Sequence, residues 1–172
     1  SQGMQPSVRV DTHWLCVGHV DETISFARSD NDRGWVMILN DAEMAINMLQ
    51  DQVDAGNGDV LMFEDMVVYQ GIRPVPAERP IAEVLDDPDI MASNADAIVE
   101  VAFQEEQLKE ATGITDAEII RIPFLHEDIA FCGSLAYQPG TVNSLYIGDY
   151  TFAAPRTHGP VIEDQDIFQV QY

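Results

Sequence analysis

The chain of 172 residues, 46% of them hydrophobic, is long and apolar enough for one globular domain with a buried core. Its formal charge is −22, from 30 acidic and 8 basic side chains, so we expect it to repel nucleic acid and anionic membranes and to attract cationic ligands. No apolar run approaches the roughly 18 residues that span a bilayer, and the polar first residues lack the pattern of a secretory signal.

Strand and helix patterns alternate in the first half of the chain. Three stretches rich in β-branched and aromatic residues predict strands: 8–17, 23–27 and 35–39. The polar turn 29–34 separates the last two strands, which predicts a hairpin. Residues 41–55 carry apolar side chains at three- and four-residue spacing, as on one face of a helix. Asn40 or Asp41 can cap the start of this helix, and Gly56 can end it.

The second half of the chain continues the alternation. Further strands are predicted at 60–63, 119–122, 130–137 and 142–147. Residues 71–80 contain three prolines and predict a connection, and residues 89–112 predict a long helix that ends at Gly113. The inner face of this helix is predicted to carry Ile98, Val101, Ala102, Glu105 and Leu108. Thr115 and Glu118 permit one short capped turn. The alternation favours an α/β class, with helices packed on a mixed sheet.

The densest polar cluster within apolar sequence is Gly18-His19-Val20-Asp21-Glu22, between two predicted strands. In extended backbone, residues two apart point to the same side. His19 and Asp21 would then present an imidazole and a carboxylate together, which suits them to hold a cation and move a proton. A solvated surface turn is the alternative, because the same triplet is common in such turns.

Other candidate sites are weaker. The loop 29–34 does not fit an EF-hand, because ligand positions fall on unsuitable residues, and it is interpreted as a hairpin turn. Residues 126–128 hold an imidazole and two carboxylates side by side, and a loop is expected there. Cys16 and Cys132 lie among apolar or small residues and are expected to be buried, reduced thiols, although their even number permits a disulfide.

Four segments, in order, resemble the catalytic domain of the protein-arginine deiminases. VGHVDETISF, at 17–26, is similar to the family's GHVDE followed by a strand. Residues 35–65 resemble its strand, helix, glycine turn and strand ending in phenylalanine and an acidic residue. Residues 107–125 resemble its helix that leads through glycine into an Ile-Ile-x-Ile-Pro strand. The last segment, 136–149 followed by Gly-Pro-Val-Ile at 159–162, resembles its Ala-Tyr, proline, Val-Asn and Gly-Pro-Val-Ile pattern.

The resemblance implies a fold and a reaction. The fold is a mixed α/β propeller of the pentein type, of which this chain would form a partial ring of about two to three ββαβ modules. The reaction is that of a hydrolase: a cysteine thiolate attacks the guanidinium carbon of peptidyl arginine, ammonia leaves, and water converts the thiouronium adduct to citrulline.

The resemblance also assigns roles by position. His19 would be the general acid and base, and Asp21 would bind the guanidinium group through charge-assisted hydrogen bonds. Val17 and Gly18 match the stretch that lines the substrate pocket. Asn143 matches the family's Val-Asn asparagine, to which we assign a supporting role near the site.

The resemblance further implies a calcium-dependent enzyme that acts on arginine-containing proteins or peptides in the cytoplasm. Most calcium ligands and a second guanidinium-binding aspartate lie upstream of GHVDE in the family, and its catalytic cysteine lies downstream in a His-Cys-Gly context. We therefore interpret residues 8–172 as part of a catalytic domain truncated before its nucleophile and inactive alone, and residues 1–7 as an N-terminal tail or cloning remnant.

Two other interpretations stay open. One is a small-molecule deiminase of the same superfamily, acting on free arginine or agmatine. The other is a degenerate pentein domain that binds or inhibits cationic partners through its acidic surface.

Overall fold

The computed structural model describes residues 7–148 and 151–169. Of the tail expected at 1–7, only Ser7 is among them. The strands are β1 Ile24–Arg28, β2 Trp35–Asp41, β3 Leu61–Met62, β4 Val67–Gln70, β5 Arg73–Pro76, β6 Arg79–Pro80, β7 Ile119–Pro123, β8 His126–Ile129, β9 Gly133–Ala136, β10 Leu145–Gly148, β11 Thr151–Ala153, β12 Val161–Ile162 and β13 Gln165–Asp166. The helices are α1 Ala42–Asp54, α2 Ile81–Leu85 and α3 Pro88–Thr112. Single 3₁₀ turns lie at Val20–Glu22 and Asp116–Glu118. The fold is mixed α/β.

A three-stranded sheet in the order β1-β2-β7 lies at the centre of the fold. β1 and β2 form the predicted hairpin, with Ile24 opposite Leu39, and β7 runs parallel to β2, with Ile119 opposite Met37. β2 is the middle strand, and its apolar run is buried on both faces. The other strands pair in two-stranded ribbons: β3 with β6, β4 with β5, β8 with β9, β10 with β11, and β12 with β13.

The two faces of this sheet pack against different partners. Met37 and Leu39 are fully buried in a cluster with residues of α3, whereas Ile38 faces the opposite side with Ile122 and Val142. This alternation follows from the two-residue period of a strand. Burial of each such side chain contributes roughly 1.5–3 kcal/mol, so the sheet is held from both sides.

Helix α1 forms where the sequence predicts it. The Asp41 carboxylate accepts a hydrogen bond from Met44 N at 2.8 Å and so caps the helix. The apolar face of α1, with Ala45 and Leu49, packs into the largest core cluster beside Met62 and Phe168.

Helix α3 is also confirmed, with Asp87 at its N-cap and Gly113, at a φ of +68°, after its last turn. Its buried face differs in part from the prediction. The buried residues are Ile90, Ser93, Asn94, Ala97, Val101, Gln104, Glu105 and Leu108. Ile98 is half-buried and Ala102 is exposed. Polar residues can occupy this face because their amides are paired: Asn94 bonds to the backbone of β8, and Gln104 bonds to the segment before β1.

Three expectations of local structure are wrong. Residues 8–17 are mostly irregular, with a turn at 13–14, and among them only Leu15 makes an isolated bridge, to Ser134. The proline-rich stretch 71–80 contributes β5 to a ribbon with β4, and it also holds β6. His126–Asp128 belongs to β8 rather than to a loop. Within the described ranges, no helix is long and apolar enough to cross a membrane.

The two cysteines form a disulfide, so the expectation of buried, reduced thiols is wrong. The Cα atoms of Cys16 and Cys132 lie 4.7 Å apart. Cys132 is exposed and Cys16 is half-buried. The bond ties the segment before β1 to the turn between β8 and β9.

Candidate active site

His19 and Asp21 lie on an exposed turn that leads into β1. His19 has extended backbone and precedes the 3₁₀ turn Val20–Glu22, which Glu22 N and Thr23 N close by donating to the carbonyl oxygens of His19 and Val20 at 3.2 and 3.1 Å. Because Asp21 lies within this turn, the alternation of an extended strand does not relate it to His19. The expected strand end is therefore a helical turn.

The carboxylate that reaches His19 belongs to Glu22. Its Oε1 accepts a hydrogen bond from His19 N at 3.3 Å and lies 3.9 Å from His19 Nδ1. The His19 side chain is 65% exposed and that of Glu22 is 22% exposed. Glu22 thus fixes the backbone from which the imidazole projects, while the ring stays open to a ligand. The i, i+3 spacing of the two residues was the available signal for this contact.

The other residues assigned to this segment are also exposed. Asp21 and Val17 face outward, with Val17 54% exposed, and Gly18 has a φ of +76°. Thr12 Oγ1 donates to the carbonyl oxygen of Gly18 at 2.9 Å, which closes the loop that carries them. The left-handed backbone at Gly18 favours glycine and turns the chain toward His19. Asp21, Val17 and the backbone of Gly18 can therefore contact a ligand that approaches from solvent.

One end of this loop is anchored on β9. Cys16 N donates to Ser134 O at 2.8 Å, and Ser134 N donates to Trp14 O at 3.0 Å. The disulfide to Cys132 adds a covalent tie. Gly133 permits this close approach, because a Cβ at that position would lie 2.6 Å from Trp14 O.

The other end of the loop is anchored by buried polar side chains. Thr23 Oγ1 donates to Gln104 Oε1 of α3 at 2.8 Å, and Asn40 Nδ2 of β2 donates to Glu22 O at 2.6 Å. Neither contact was predicted from the sequence. The sequence did contain a sign that Asn40 has a role: it is a polar residue directly after the apolar run 35–39 of a buried strand.

Asn143 lies on a different segment. It is exposed in the turn before β10, and its backbone N–H donates to Gly140 O at 3.2 Å. Within the described parts of the chain, no hydrogen bond joins its side chain to His19 or Asp21. Its supporting role stays a prediction.

His126, on β8, is buried beside the residues that anchor the loop to β9. Burial lowers the pKa of His126 to about 4. The ring packs against Trp14 and Phe124, with centroids 5.4 and 4.8 Å away, and its Nδ1 lies 3.1 Å from Ser134 Oγ. A buried imidazole that stays neutral near neutral pH is poorly suited to serve as a general acid.

Neither a metal site nor a thiol nucleophile is found among the described residues. Across 7–148 and 151–169, no group of three or more His, Cys, Asp or Glu side chains is arranged to hold a metal ion. Both cysteines of the chain are bonded to each other, so neither offers a thiolate.

Comparisons with known proteins agree with the resemblance. A family model described as "Protein-arginine deiminase (PAD)" matches residues 1–172. Human protein-arginine deiminase type-4 is 30% identical over 162 residues, human type-3 is 29% identical and mouse type-1 is 27% identical, each alignment covering 94% of this chain. The chain spans only about a quarter of the length of these relatives, 23%, 24% and 23% respectively.

Proposed function

The chain belongs to the protein-arginine deiminase family, and we propose that the protein that carries it hydrolyses peptidyl arginine to peptidyl citrulline and ammonia. The observation that carries this proposal is the family match along the whole chain, which includes His19 and Asp21 on an exposed, doubly anchored turn. The net charge of −22 supports a cationic substrate.

Asp21 binds the guanidinium group in this proposal. Its exposed carboxylate accepts charge-assisted hydrogen bonds from the guanidinium N–H groups. Val17 and Gly18 line the pocket beside it, and Asn143 supports the site from its own segment.

His19 moves the protons. A cysteine thiolate forms a bond to the guanidinium carbon, the C–N bond to one terminal nitrogen breaks, and His19 protonates the departing ammonia. A water molecule then attacks the thiouronium carbon, gives a proton to His19, and displaces the thiolate to leave citrulline. Atoms balance as arginine plus water giving citrulline plus ammonia.

The thiolate comes from outside the two cysteines of this chain, because the disulfide holds both of them. The isolated chain is therefore inactive. Calcium dependence is proposed from the family resemblance alone, and no step above depends on the ion.

The fold is proposed to be one part of a pentein ring. The hairpin of β1 and β2 and the parallel strand β7 supply the three strands of one ββαβ-like unit. The connection from β2 to β7 holds α1, α2 and α3 together with the short strands β3 to β6. The other modules of the ring would carry the nucleophile and the second guanidinium-binding carboxylate.

The proposal is tested on the full-length protein by measuring citrulline formed from a blocked arginine peptide, from free arginine and from agmatine. We expect turnover of the peptide, and a fall in rate of about 100- to 10,000-fold in His19→Ala. His13→Ala should keep the wild-type rate, because His13 is an exposed histidine of the same loop with no assigned role. Turnover of free arginine or agmatine in preference to the peptide would favour the small-molecule alternative.

A binding module is the second candidate, and the net charge of −22 favours it, because an acidic surface attracts cationic partners without any catalytic step. It predicts that the full-length protein binds an arginine-rich peptide without turnover, and that His19→Ala and Asp21→Ala weaken this binding.

A further inference from the structure

Asn40 is a buried amide at the end of an apolar strand. It is 1% exposed and closes the run Trp-Val-Met-Ile-Leu of β2. Its backbone N–H donates to Thr23 O at 3.0 Å, and its side-chain Nδ2 donates to Glu22 O at 2.6 Å. The strand therefore holds the last residue of the His19 turn through a side chain as well as through the sheet.

The side-chain bond reaches His19 through Glu22. The backbone of Glu22 is fixed by Asn40, and the carboxylate of Glu22 accepts from His19 N. Displacement of Glu22 would therefore move the backbone that carries the imidazole. A displacement of about 1 Å can lower a catalysed rate about 100-fold.

Gln104 adds a second hold from α3. It is fully buried, its Oε1 accepts from Thr23 Oγ1, and its Nε2 donates to Asp11 O at 2.6 Å. Gln104 thus connects the start of the loop, at Asp11, to its end, at Thr23. Asn40 and Gln104 act on neighbouring residues from two different elements.

Only one half of the Asn40 amide is hydrogen-bonded, whereas both halves of the buried Asn94 amide are. The Oδ1 of Asn40 is buried without a hydrogen-bond partner among the described residues, which is unfavourable. Asn94 is buried to the same degree, yet its Nδ2 donates to Ile90 O and His126 O and its Oδ1 accepts from His126 N. An apolar residue would avoid the unpaired oxygen at Asn40, so the donor to Glu22 is the feature that favours an amide there.

We propose that Asn40 is a positioning residue that sets the place of His19 for proton transfer, with Gln104 supporting the same turn. This inference rests on the proposed function of His19. It concerns a residue that contacts neither the substrate nor the reacting atoms.

The test compares Asn40→Ala with Asn94→Ala in the full-length protein. Both variants remove a buried amide, but only the first removes a bond to the His19 turn. We expect kcat for a blocked arginine peptide to fall about 10- to 100-fold in Asn40→Ala, with KM nearly unchanged. Asn94→Ala should lose stability while keeping its kcat. Asn40→Leu, which fills the same volume without a donor, repeats the test if the alanine variant does not fold.

A second readout does not need turnover. The ¹³C and ¹H shifts of the His19 ring, measured by NMR, should change in Asn40→Ala and Asn40→Leu and stay at wild-type values in Asn94→Ala. If the wild-type protein makes no citrulline, the proposed function fails, and the ring shifts still decide whether Asn40 positions His19. Unchanged shifts in both Asn40 variants, or an equal fall in kcat in Asn94→Ala, would overturn the inference.

Discussion

Cys16 and Cys132 are joined by a disulfide although 116 residues separate them, and this bond lies three residues before His19. It closes a loop that contains the central sheet and all three helices. Its position makes the segment that carries His19 part of a crosslinked unit with the turn between β8 and β9.

Reduction of this disulfide should lower the stability of the chain. In the chain-entropy model, a crosslink between residues 116 apart lowers the conformational entropy of the unfolded state. The loss raises the free energy of that state by roughly 4–5 kcal/mol. Urea unfolding followed by circular dichroism, with and without a dithiol reductant, measures the difference. The Cys16→Ser/Cys132→Ser double variant should unfold at the lower midpoint in both conditions. Equal midpoints for the oxidised and reduced wild type would contradict the expectation.

Gly133→Ala should disrupt the anchor of the site loop. A Cβ at this position would lie 2.6 Å from Trp14 O, and the residue has a φ of +111°. We expect a loss of more than about 3 kcal/mol in the free energy of unfolding, from strain and from a forced shift of Trp14. Gly56→Ala is the control, because its φ of +89° is also positive but nothing lies within 4 Å of the added carbon. It should cost only about 1–2 kcal/mol.

The free energy of unfolding should decrease as the pH falls below about 6.5, because of His126. Burial lowers the pKa of His126 from 6.5 to about 4, so the folded state favours the neutral ring and the unfolded state takes up the proton first. The stabilisation is therefore complete above pH 6.5 and is lost as the pH falls toward 4, by about 3 kcal/mol in all.

His126→Phe isolates this contribution, since it keeps an aromatic ring beside Trp14 and Phe124 but cannot titrate. Burial raises the pKa of the neighbouring Glu127 carboxyl, which acts in the opposite direction and is common to both proteins. Unfolding free energies measured at intervals between about pH 7 and pH 5 should show a smaller slope in the variant. Identical slopes would exclude His126 as the source.

Asp166→Ala should release the segment around β12 and β13. The Asp166 carboxylate is buried and accepts four hydrogen bonds, from Thr157 Oγ1 and from the N–H groups of Gly159, Phe168 and Gln169. Its removal leaves these donors without partners and should cost about 3 kcal/mol or more. Faster hydrogen exchange of the Gly159 and Phe168 amides checks the location of the effect. The adjacent exposed Gln165→Ala should change stability by less than about 0.5 kcal/mol.

Local sequence patterns predicted the elements whose residues interact with near neighbours. The hairpin of β1 and β2, the capped helix α1, the long helix α3 and strand β7 all have a clear period or cap. The β-branched residues of segment 8–17 predict a strand, but the segment is irregular, with a turn at 13–14. There, Asp11 Oδ1 accepts from His13 N, and Leu15 N donates to Thr12 O. Local hydrogen bonds of this kind, to a side chain at Asp11 and to the backbone at Thr12, compete with a strand.

The geometry of the site could not be predicted from local sequence patterns alone. The polar cluster at His19 was visible, but its turn, its contact with Glu22 and its hold by Asn40 depend on backbone geometry and on contacts between distant segments. The disulfide could not be inferred for the same reason: two cysteines permit a single pairing, but whether Cys16 and Cys132 meet depends on how distant segments pack.

Asp21 and His19 are proposed to act together on peptidyl arginine. The most direct measurement is the kcat/KM for citrulline formation from a blocked arginine peptide by the full-length protein, wild type against Asp21→Asn. This substitution keeps the shape of an exposed side chain and removes only its charge. We expect an unchanged melting temperature and a fall in kcat/KM of at least about 100-fold, since a charge-assisted hydrogen bond to the guanidinium is lost. A variant with the wild-type kcat/KM would contradict this expectation.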